Sequence, residues 1–410
     1  MKIKKANIDY PYILLAFLLI YFGSNTLFTQ ITLSSQLSSY FVFFLSFFLY
    51  FIRFKKHKNL NKKAVSVVVL LAVLIHITIL VNWDMENYNG YIIIIMKIVG
   101  AFLLLRSIDF ERFRKAFSSV MMVFVSASLI VTYIFPLFSL EYYLPVVRNS
   151  MGVPFFNAFL SYKINSYGDF GIRNYGIFSE PAVYCFYLFI TAVFMFTETK
   201  LTKGFSLKMS LVIFTMITTF SPIGLATAAI CWIMLLYKLI SGKSSVSARW
   251  IPAICVLLGV LLFLYNTDMR SGFDSLLGKV TLTIGNGMGR LNSIVYNIRS
   301  WLLNPLFGGG LLAITAITND LGFNTSTTGT LLSCFGIFFA SVVTAMQYKS
   351  TRLILKKEKA VIAWIFFILF LLQINNHGFI QGDWFWFYTM IGVAGNKHET
   401  SDTHLQSGKY

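Results

Sequence analysis

Apolar runs of membrane-spanning length recur from one end of the chain to the other, with short polar breaks between them. A helix needs about 20 apolar residues to cross the hydrocarbon core of a bilayer. Charged residues make up only 12% of the 410 residues, whereas a soluble globular protein carries about 25%. Such a chain has too few charges to cover its surface in water. The sequence therefore predicts an all-α polytopic integral membrane protein.

Twelve of these runs are predicted to be transmembrane helices. They cover residues 12–29, 37–54, 64–81, 90–105, 116–137, 177–196, 209–220, 222–240, 250–266, 327–347, 361–375 and 379–394. The runs on either side of Ser221 form either one long kinked helix or a tight hairpin with Ser221 at its tip. Lysines flank this pair on both sides, which favours the hairpin because lysine-rich segments stay in the cytoplasm.

The distribution of Lys and Arg predicts the orientation of the chain. With the N-terminus in the cytoplasm, 26 of the 34 cations fall in inner segments and seven in outer segments. We therefore expect both termini in the cytoplasm, and the net charge of +18 does not indicate nucleic-acid binding. The remaining cation, Lys97, lies within the fourth span, where packing or polar pairing inside the bundle is its expected role.

The same pattern divides the chain into alternating membrane and outer segments. These are N-terminal helices at 1–137, an outer loop at 138–176, helices at 177–266, a large outer loop at 267–326, helices at 327–395 and a cytoplasmic tail at 396–410.

The two long outer loops hold every outer cation. These are Arg148, Lys163, Arg173, Arg270, Lys279, Arg290 and Arg299. Because translocating cations is unfavourable, we expect them to have a partner outside. The planar fork of Arg suits phosphate, diphosphate or carboxylate, which predicts an anion site. The alternative is that these cations pair with acidic residues of the same loops.

Residues 290–304 predict an amphipathic helix of about 14 residues at the outer interface, since their apolar side chains fall within an arc of about 120°. Pro305 ends this helix. Arg290 and Arg299 lie on opposite flanks of its polar face, roughly 13 Å apart along the axis, so they would contact different parts of a substrate or different substrates. The glycine run at 308–310 either lets the backbone approach a lipid headgroup or forms a turn.

Further candidate residues lie at the outer ends of two spans. Glu180 or Ser179 fits the N-cap of a helix that begins at Pro181. Glu180 either only caps this helix or forms a charged site with Arg173 at its mouth. His377 flanks the last outer turn, and it is either a general base for a hydroxyl group or a water-exposed histidine.

One of these stretches resembles a known signature. Arg173-x-x-Gly176-x-Phe178-x-Glu180-Pro181 at the head of a span resembles the signature of O-antigen polymerases. These inner-membrane enzymes join lipid-linked repeat units of lipopolysaccharide.

The second outer loop adds to the resemblance. A second signature of these enzymes is similar to the stretch that begins at Arg290, continues as a helix and ends in Asn304-Pro305-Leu306-Phe307-Gly308-x-Gly310. The spacing of Arg299 before Gly310 is similar to a described arginine motif. The number of spans and the two large outer loops also match. One position departs: many relatives place a histidine before the asparagine at the mouth of the following span, where this chain has Phe323 before Asn324. The base of the ligase branch of the superfamily therefore has no counterpart at this position. Either His377 or Glu180 substitutes for it, or no strong base is needed when diphosphate leaves.

The resemblance implies a metal- and cofactor-independent glycosyltransferase on the periplasmic face of the bacterial inner membrane. A sugar hydroxyl of one undecaprenyl-diphosphate-linked repeat unit would attack the reducing-end carbon of the growing chain, and lipid diphosphate would depart. The expected catalytic residues are Arg290, Glu180 and His377. The expected substrate-binding residues are Arg173, Arg299, Arg270, Arg148 and Gly310. Whether a chain-length regulator binds stays open.

Two alternatives remain from the sequence. An O-antigen ligase would move the finished chain to a lipid acceptor, and the missing histidine argues against it. A lipid-linked oligosaccharide flippase or transporter would need charged residues inside several spans, whereas Lys97 is the single cation found there.

Overall fold

The computed structural model describes residues 9–23, 26–32, 35–53, 62–149, 152–165, 173–242, 248–255, 290–321, 324–375 and 377–394. Most of these residues are helical. The helices are α1 (Tyr10–Tyr21), α2 (Leu27–Thr32), α3 (Ser35–Arg53), α4 (Lys62–Asn82), α5 (Tyr88–Ser107), α6 (Phe110–Leu129), α7 (Pro181–Phe196), α8 (Lys203–Thr218), α9 (Pro222–Ser241), α10 (Arg290–Leu303), α11 (Leu312–Leu321), α12 (Thr327–Ile354), α13 (Ala360–Ile374) and α14 (Asp383–Ala394). Residues 248–255 are helical as well.

Several of these helices suit a bilayer by length and composition. Five are long and apolar enough to cross one, namely α4, α5, α6 with its extension to Phe138, α9 and α12. α1, α7, α13 and most of α3 form shorter apolar helices. On α3, Phe44, Phe48 and Phe51 are each more than 60% exposed, which is costly in water and favourable against lipid. The prediction of a helical membrane protein is thus supported, while the number of twelve spans stays a prediction.

The first outer loop contains a small sheet that the all-α prediction did not include. Strands β1 (Val146–Arg148), β2 (Pro154–Asn157) and β3 (Tyr162–Ile164) pair antiparallel in the order β1-β2-β3. Phe155 faces Val147 on one side and Ile164 on the other. The strands are three or four residues long, so the alternation of apolar and polar residues is too short to be seen in the sequence.

The first predicted span, 12–29, is broken in the structure. α1 ends at Tyr21, and α2 is a separate helix of six residues. Between them Thr26 forms an isolated bridge with Phe178, and the N–H of Leu27 donates to the carbonyl of Ile177 at 2.9 Å. The break therefore lets this segment pair with the chain just before α7.

Helices α8 and α9 form the hairpin, and the alternative of one kinked helix is wrong. Phe220 has a left-handed backbone with φ of 44°, which reverses the chain before α9. The hydroxyl of Ser206, near the start of α8, donates to the carbonyl of Ala248 at 2.8 Å, beyond the end of α9. The chain after α9 thus returns to the level at which α8 began, and Ser221 lies buried at the opposite end.

The centre of the bundle is α7, all of whose residues are buried. Its apolar residues run all the way round the helix, as expected for a helix surrounded by others. At its C-terminus the carbonyls of Phe194 and Phe196 accept hydrogen bonds from Arg114 and Lys238. These cations complement the negative end of the helix dipole. The N-terminus of α7, with Glu180 at its N-cap, lies at the other end of the bundle.

Candidate functional site

The segment that leads into α7 is fixed by the side chain of Asn174, which is fully buried. Its Nδ2 donates to the hydroxyls of Ser128 and Thr218, both at 3.1 Å, and its backbone N–H donates to the carbonyl of Thr218 at 3.0 Å. Its Oδ1 accepts the N–H of Gly176 at 3.0 Å. Gly176 has φ of +55°, and a Cβ there would lie 2.8 Å from the ring of Tyr184. The backbone next to Arg173 is therefore held firmly in place.

Arg173 reaches from this segment to the end of α8, where its Nε donates to the carbonyl of Thr219 at 3.1 Å. Burial lowers the pKa of its guanidinium, while Tyr175 and Glu180 raise it, and an arginine remains charged under such a shift. Among the described residues, none accepts a hydrogen bond from its two terminal nitrogens. They are the part of Arg173 that can bind an anionic ligand in a bidentate manner.

Tyr175 lies beside this cation. Burial raises the pKa of its phenol, which Arg173 lowers and Glu180 raises. Tyr175 is therefore a neutral hydroxyl at physiological pH.

Glu180 is the N-cap residue of α7, but its side chain makes no capping hydrogen bond. Its Oε2 instead lies 3.1 Å from Nδ1 of His377. The side chains are partly exposed, 47% for Glu180 and 23% for His377, so a ligand can reach both. A carboxylate at Nδ1 favours the tautomer with the proton on that nitrogen, which leaves Nε2 as a base. The capping alternative therefore does not account for this side chain.

His377 is held by the start of α12. Its carbonyl accepts a hydrogen bond from the hydroxyl of Thr327 at 2.8 Å, and the same hydroxyl accepts the N–H of Phe379 at 2.8 Å. The ring of Phe379 packs edge-on against the imidazole at 5.1 Å between centroids. The structure thus brings Glu180 and His377 into contact from distant parts of the chain, and Arg173 is near enough for Glu180 to influence its pKa. We call these three residues the charged site.

The other described outer cations have local partners. Nζ of Lys163 lies 3.4 Å from Oε1 of Glu141, so the pairing alternative holds for this residue. Nη1 of Arg148 donates to the carbonyl of Gly152 within its own hairpin at 2.9 Å. Arg299 stacks over the ring of Tyr296 on α10, 5.9 Å from its centroid. Within the described part of the chain, no hydrogen bond or ion pair joins Arg148 or Arg299 to the charged site.

Three predicted residues cannot be placed against the charged site. Arg270 and Lys279 lie outside the described residues. Arg290 is the first residue of α10, but its side chain is not among the described ones. The predicted roles of Arg270 and Arg290 therefore stay predictions.

The polar pairing predicted for Lys97 is confirmed. Its Nζ lies 3.8 Å from Oδ1 of Asp383, at the start of α14. Both side chains are buried, with 3% and 8% of their surface exposed. The pair links α5 to α14.

The glycine run at 308–310 docks into a break in α12. Gly336 has φ of +74°, which interrupts the helix and leaves the carbonyls of Ser333 and Cys334 without their usual donors. The N–H groups of Gly309 and Gly310 donate to them at 2.7 and 3.0 Å. Because these groups are used within the protein, the geometry favours the turn alternative for the run. Substrate binding by Gly310 stays a prediction, and the N–H of Gly310 is already used by the carbonyl of Cys334.

Sequence reasoning assigned no role to Asn174 or Thr327. A signal for Asn174 exists, because an Asn two residues before a Gly at the entry to a helix is typical of an Asx turn, and its Oδ1 makes that bond to Gly176. No comparable signal exists for Thr327, whose partner His377 is 50 residues away.

The described residues thus form a mostly helical protein with membrane-compatible helices and a charged site at one end of the bundle. In that part of the chain, no group of three or more His, Cys, Asp or Glu residues is placed to hold a metal ion, and metal independence stays a prediction. No protein-family model matches the chain. No curated protein and no solved structure matches it.

Proposed function

We propose that this chain is an O-antigen polymerase, which joins lipid-linked oligosaccharide repeat units by glycosyl transfer. The observation that carries the proposal is the contact between Glu180 and His377 beside Arg173. A carboxylate, an imidazole and a guanidinium thus lie at one end of the bundle. The resemblance of the segment from Arg173 to Pro181 to the polymerase signature, described above, agrees with this assignment.

The charged site has groups for each step of this reaction. Nε2 of His377 accepts the proton of the attacking sugar hydroxyl, and Glu180 orients the imidazole and stabilises its cation. The hydroxyl oxygen forms a bond to the reducing-end carbon of the second unit, and the bond from that carbon to the diphosphate oxygen breaks. The electron pair leaves with the lipid diphosphate, whose charge Arg173 stabilises. The proton then passes from His377 to solvent or to the diphosphate.

The sidedness of the chain supports a periplasmic reaction. The positive-inside count assigns the N-terminus of α7 to the outer side, and Glu180 lies there. In the proposal Arg290 is a second catalytic cation, while Arg299, Arg270 and Arg148 contact other parts of the two substrates. The bacterial inner membrane would supply both substrates on undecaprenyl diphosphate.

The lipopolysaccharide of a deletion strain tests the proposal. A polymerase mutant carries core with one repeat unit, and a plasmid with the intact gene restores long chains. Core without any attached repeat would instead identify a ligase. Loss of all periplasmic lipid-linked repeat units would identify a flippase, and long chains of normal distribution would contradict every one of these functions.

A further inference from the structure

A cluster of uncharged polar side chains lies where α10 meets the start of α12. It comprises Ser293, Asn297, Asn324 and Thr325, and we call it the neutral cluster. Oδ1 of Asn324 accepts hydrogen bonds from the hydroxyl of Ser293 at 2.9 Å and from Nδ2 of Asn297 at 3.0 Å. The N–H of Thr325 donates to the hydroxyl of Ser293 at 3.1 Å. Ser293 and Asn297 are fully buried, so α10 turns part of its polar face to the protein.

Two polar atoms of the neutral cluster lack a partner. Nδ2 of Asn324 and Oγ1 of Thr325 are shielded from solvent, and among the described residues neither has a hydrogen-bond partner. Buried polar groups in native proteins are almost always hydrogen-bonded. These two groups, on consecutive residues, therefore need a partner that is not part of the described protein.

The neutral cluster adjoins the charged site through the backbone of α12. Ser326, the N-cap of α12, donates its hydroxyl to Oδ1 of Asn375 at 3.1 Å. The next residue, Thr327, donates to the carbonyl of His377. Thr325 is thus two residues away from the residue that holds the proposed base.

The spacing of residues on α10 relates the neutral cluster to Arg290. Arg290, Ser293 and Asn297 follow the i, i+3, i+7 pattern, so they lie on one face of the helix. Arg299 lies nine residues from Arg290, which places it on the opposite side. Ser293 and Asn297 lie on the face that contacts Asn324 and the start of α12, and by spacing alone Arg290 falls on the same side of the helix.

The chemistry of the neutral cluster differs from that of the charged site. Its members are hydroxyls and carboxamides, which both donate and accept hydrogen bonds and carry no charge. None of them is a cation that could bind a diphosphate. A ligand rich in hydroxyl groups could form hydrogen bonds with both unpartnered atoms. We propose that the neutral cluster is a sugar-hydroxyl subsite, at which Asn324 and Thr325 bind the repeat unit whose hydroxyl is presented to His377. The assignment to a sugar rests on the function proposed above.

Near-isosteric variants of the two residues test this subsite in the purified full-length protein. Thr325→Val removes the hydroxyl, and Asn324→Asp replaces the free donor while keeping the acceptor used by Ser293 and Asn297. Thr351→Val is the matched control. The hydroxyl of Thr351 lies near the other end of α12, where it bonds to Tyr388 of α14. Elution profile and thermal unfolding confirm that each variant is folded.

The probes are the host's own repeat-unit oligosaccharide, released from its carrier by mild acid, and inorganic diphosphate. Binding of each is followed by saturation-transfer NMR and titration calorimetry. We expect Thr325→Val and Asn324→Asp to weaken oligosaccharide binding at least about tenfold, as the loss of a specific hydrogen bond predicts. Diphosphate binding should be unchanged in both variants and in the control.

Two outcomes would overturn the subsite. One is that the folded Thr325→Val and Asn324→Asp variants bind the oligosaccharide with the affinity of wild type. Water would then be the partner of these atoms. The other is an intact wild-type protein that binds no oligosaccharide. The first outcome leaves the polymerase assignment intact, because that assignment fails separately if the deletion strain keeps long chains.

Discussion

Nδ1 of His377 lies 3.1 Å from Oε2 of Glu180, although 197 residues separate them in the chain. The contact joins the N-cap of the fully buried helix α7 to the turn before α14. Because α7 is packed on all sides, the backbone at Glu180 is held in place, and the hydroxyl of Thr327 holds the backbone of His377 through its carbonyl. The proposed glycosyl transfer depends on this pair.

Removing the imidazole should abolish most of the activity. We expect His377→Ala to lower the polymerisation rate by about 10²- to 10⁴-fold, the usual contribution of a general base. Glu180→Gln should have a smaller effect, because the neutral amide still contacts Nδ1 without stabilising the imidazolium. His76→Ala is the control, since His76 lies on the exposed face of α4 and bonds only to the carbonyl of Ala72 among the described residues. An equal loss in His76→Ala would show that the assay reports on folding.

Arg173 should be required as an arginine and not only as a cation. We expect Arg173→Ala to lower the rate by about 10²- to 10³-fold, the cost of removing one stabilising donor from a developing anion. Arg173→Lys should recover only part of the rate. An ammonium group lacks the planar fork with which a guanidinium can bond to Thr219 and to a diphosphate at the same time. Initial rates and diphosphate affinity measure both effects. Arg112→Ala, an exposed cation paired with Asp9 and Asp109, should match wild type.

Asn174 should contribute stability as well as position. Asn174→Ala removes the bonds to the buried hydroxyls of Ser128 and Thr218 and the acceptor of the Gly176 N–H, and a buried donor left unsatisfied costs about 1–3 kcal/mol of unfolding free energy. A lowered unfolding temperature in detergent, together with weaker diphosphate binding, is the expected result. Unchanged stability would show that these groups find other partners.

The sequence allowed good prediction of those parts of the protein that depend on local pattern. The runs that became α4, α5 and α12 are visible from apolar length alone, and Pro181 marked the start of α7 correctly. The break after Tyr21 was missed because it depends on pairing between Thr26 and Phe178, which lie far apart in the chain. For the same reason no pattern indicated that Glu180 would contact His377 and not cap its own helix.

Gly336, at the break in α12 where the glycine run docks, should tolerate no side chain. A Cβ at Gly336 would lie 2.1 Å from the carbonyl oxygen of Leu306, and its φ is positive. We therefore expect Gly336→Ala to destabilise the protein by about 2–5 kcal/mol, from left-handed strain and overpacking together.

Gly204→Ala provides the control for that experiment. Gly204 lies in α8, and the nearest atom to its added Cβ is 3.8 Å away. Alanine there should be neutral or stabilising by up to about 1 kcal/mol. A tolerated alanine at Gly336 would mean that α12 can straighten and release the glycine run.

The buried pair of Lys97 and Asp383 should matter more when broken than when replaced. Lys97→Met leaves a buried carboxylate without its cation, which costs about 3–5 kcal/mol, whereas replacing both partners by apolar residues is often neutral. We expect the double variant Lys97→Met with Asp383→Leu to unfold at a temperature closer to wild type than Lys97→Met does. Additive losses in the double-mutant cycle would show that the two side chains do not stabilise each other.

Polymerisation by the charged site can be measured with the purified protein reconstituted in lipid nanodiscs with the host's undecaprenyl-diphosphate-linked repeat unit. The products to measure are the elongated lipid-linked chain and the released undecaprenyl diphosphate. We expect one released lipid diphosphate for each linkage formed by wild type, and almost none from a folded His377→Ala variant. Wild-type protein that binds the substrate without forming either product, or a His377→Ala variant with the wild-type rate, would contradict this expectation.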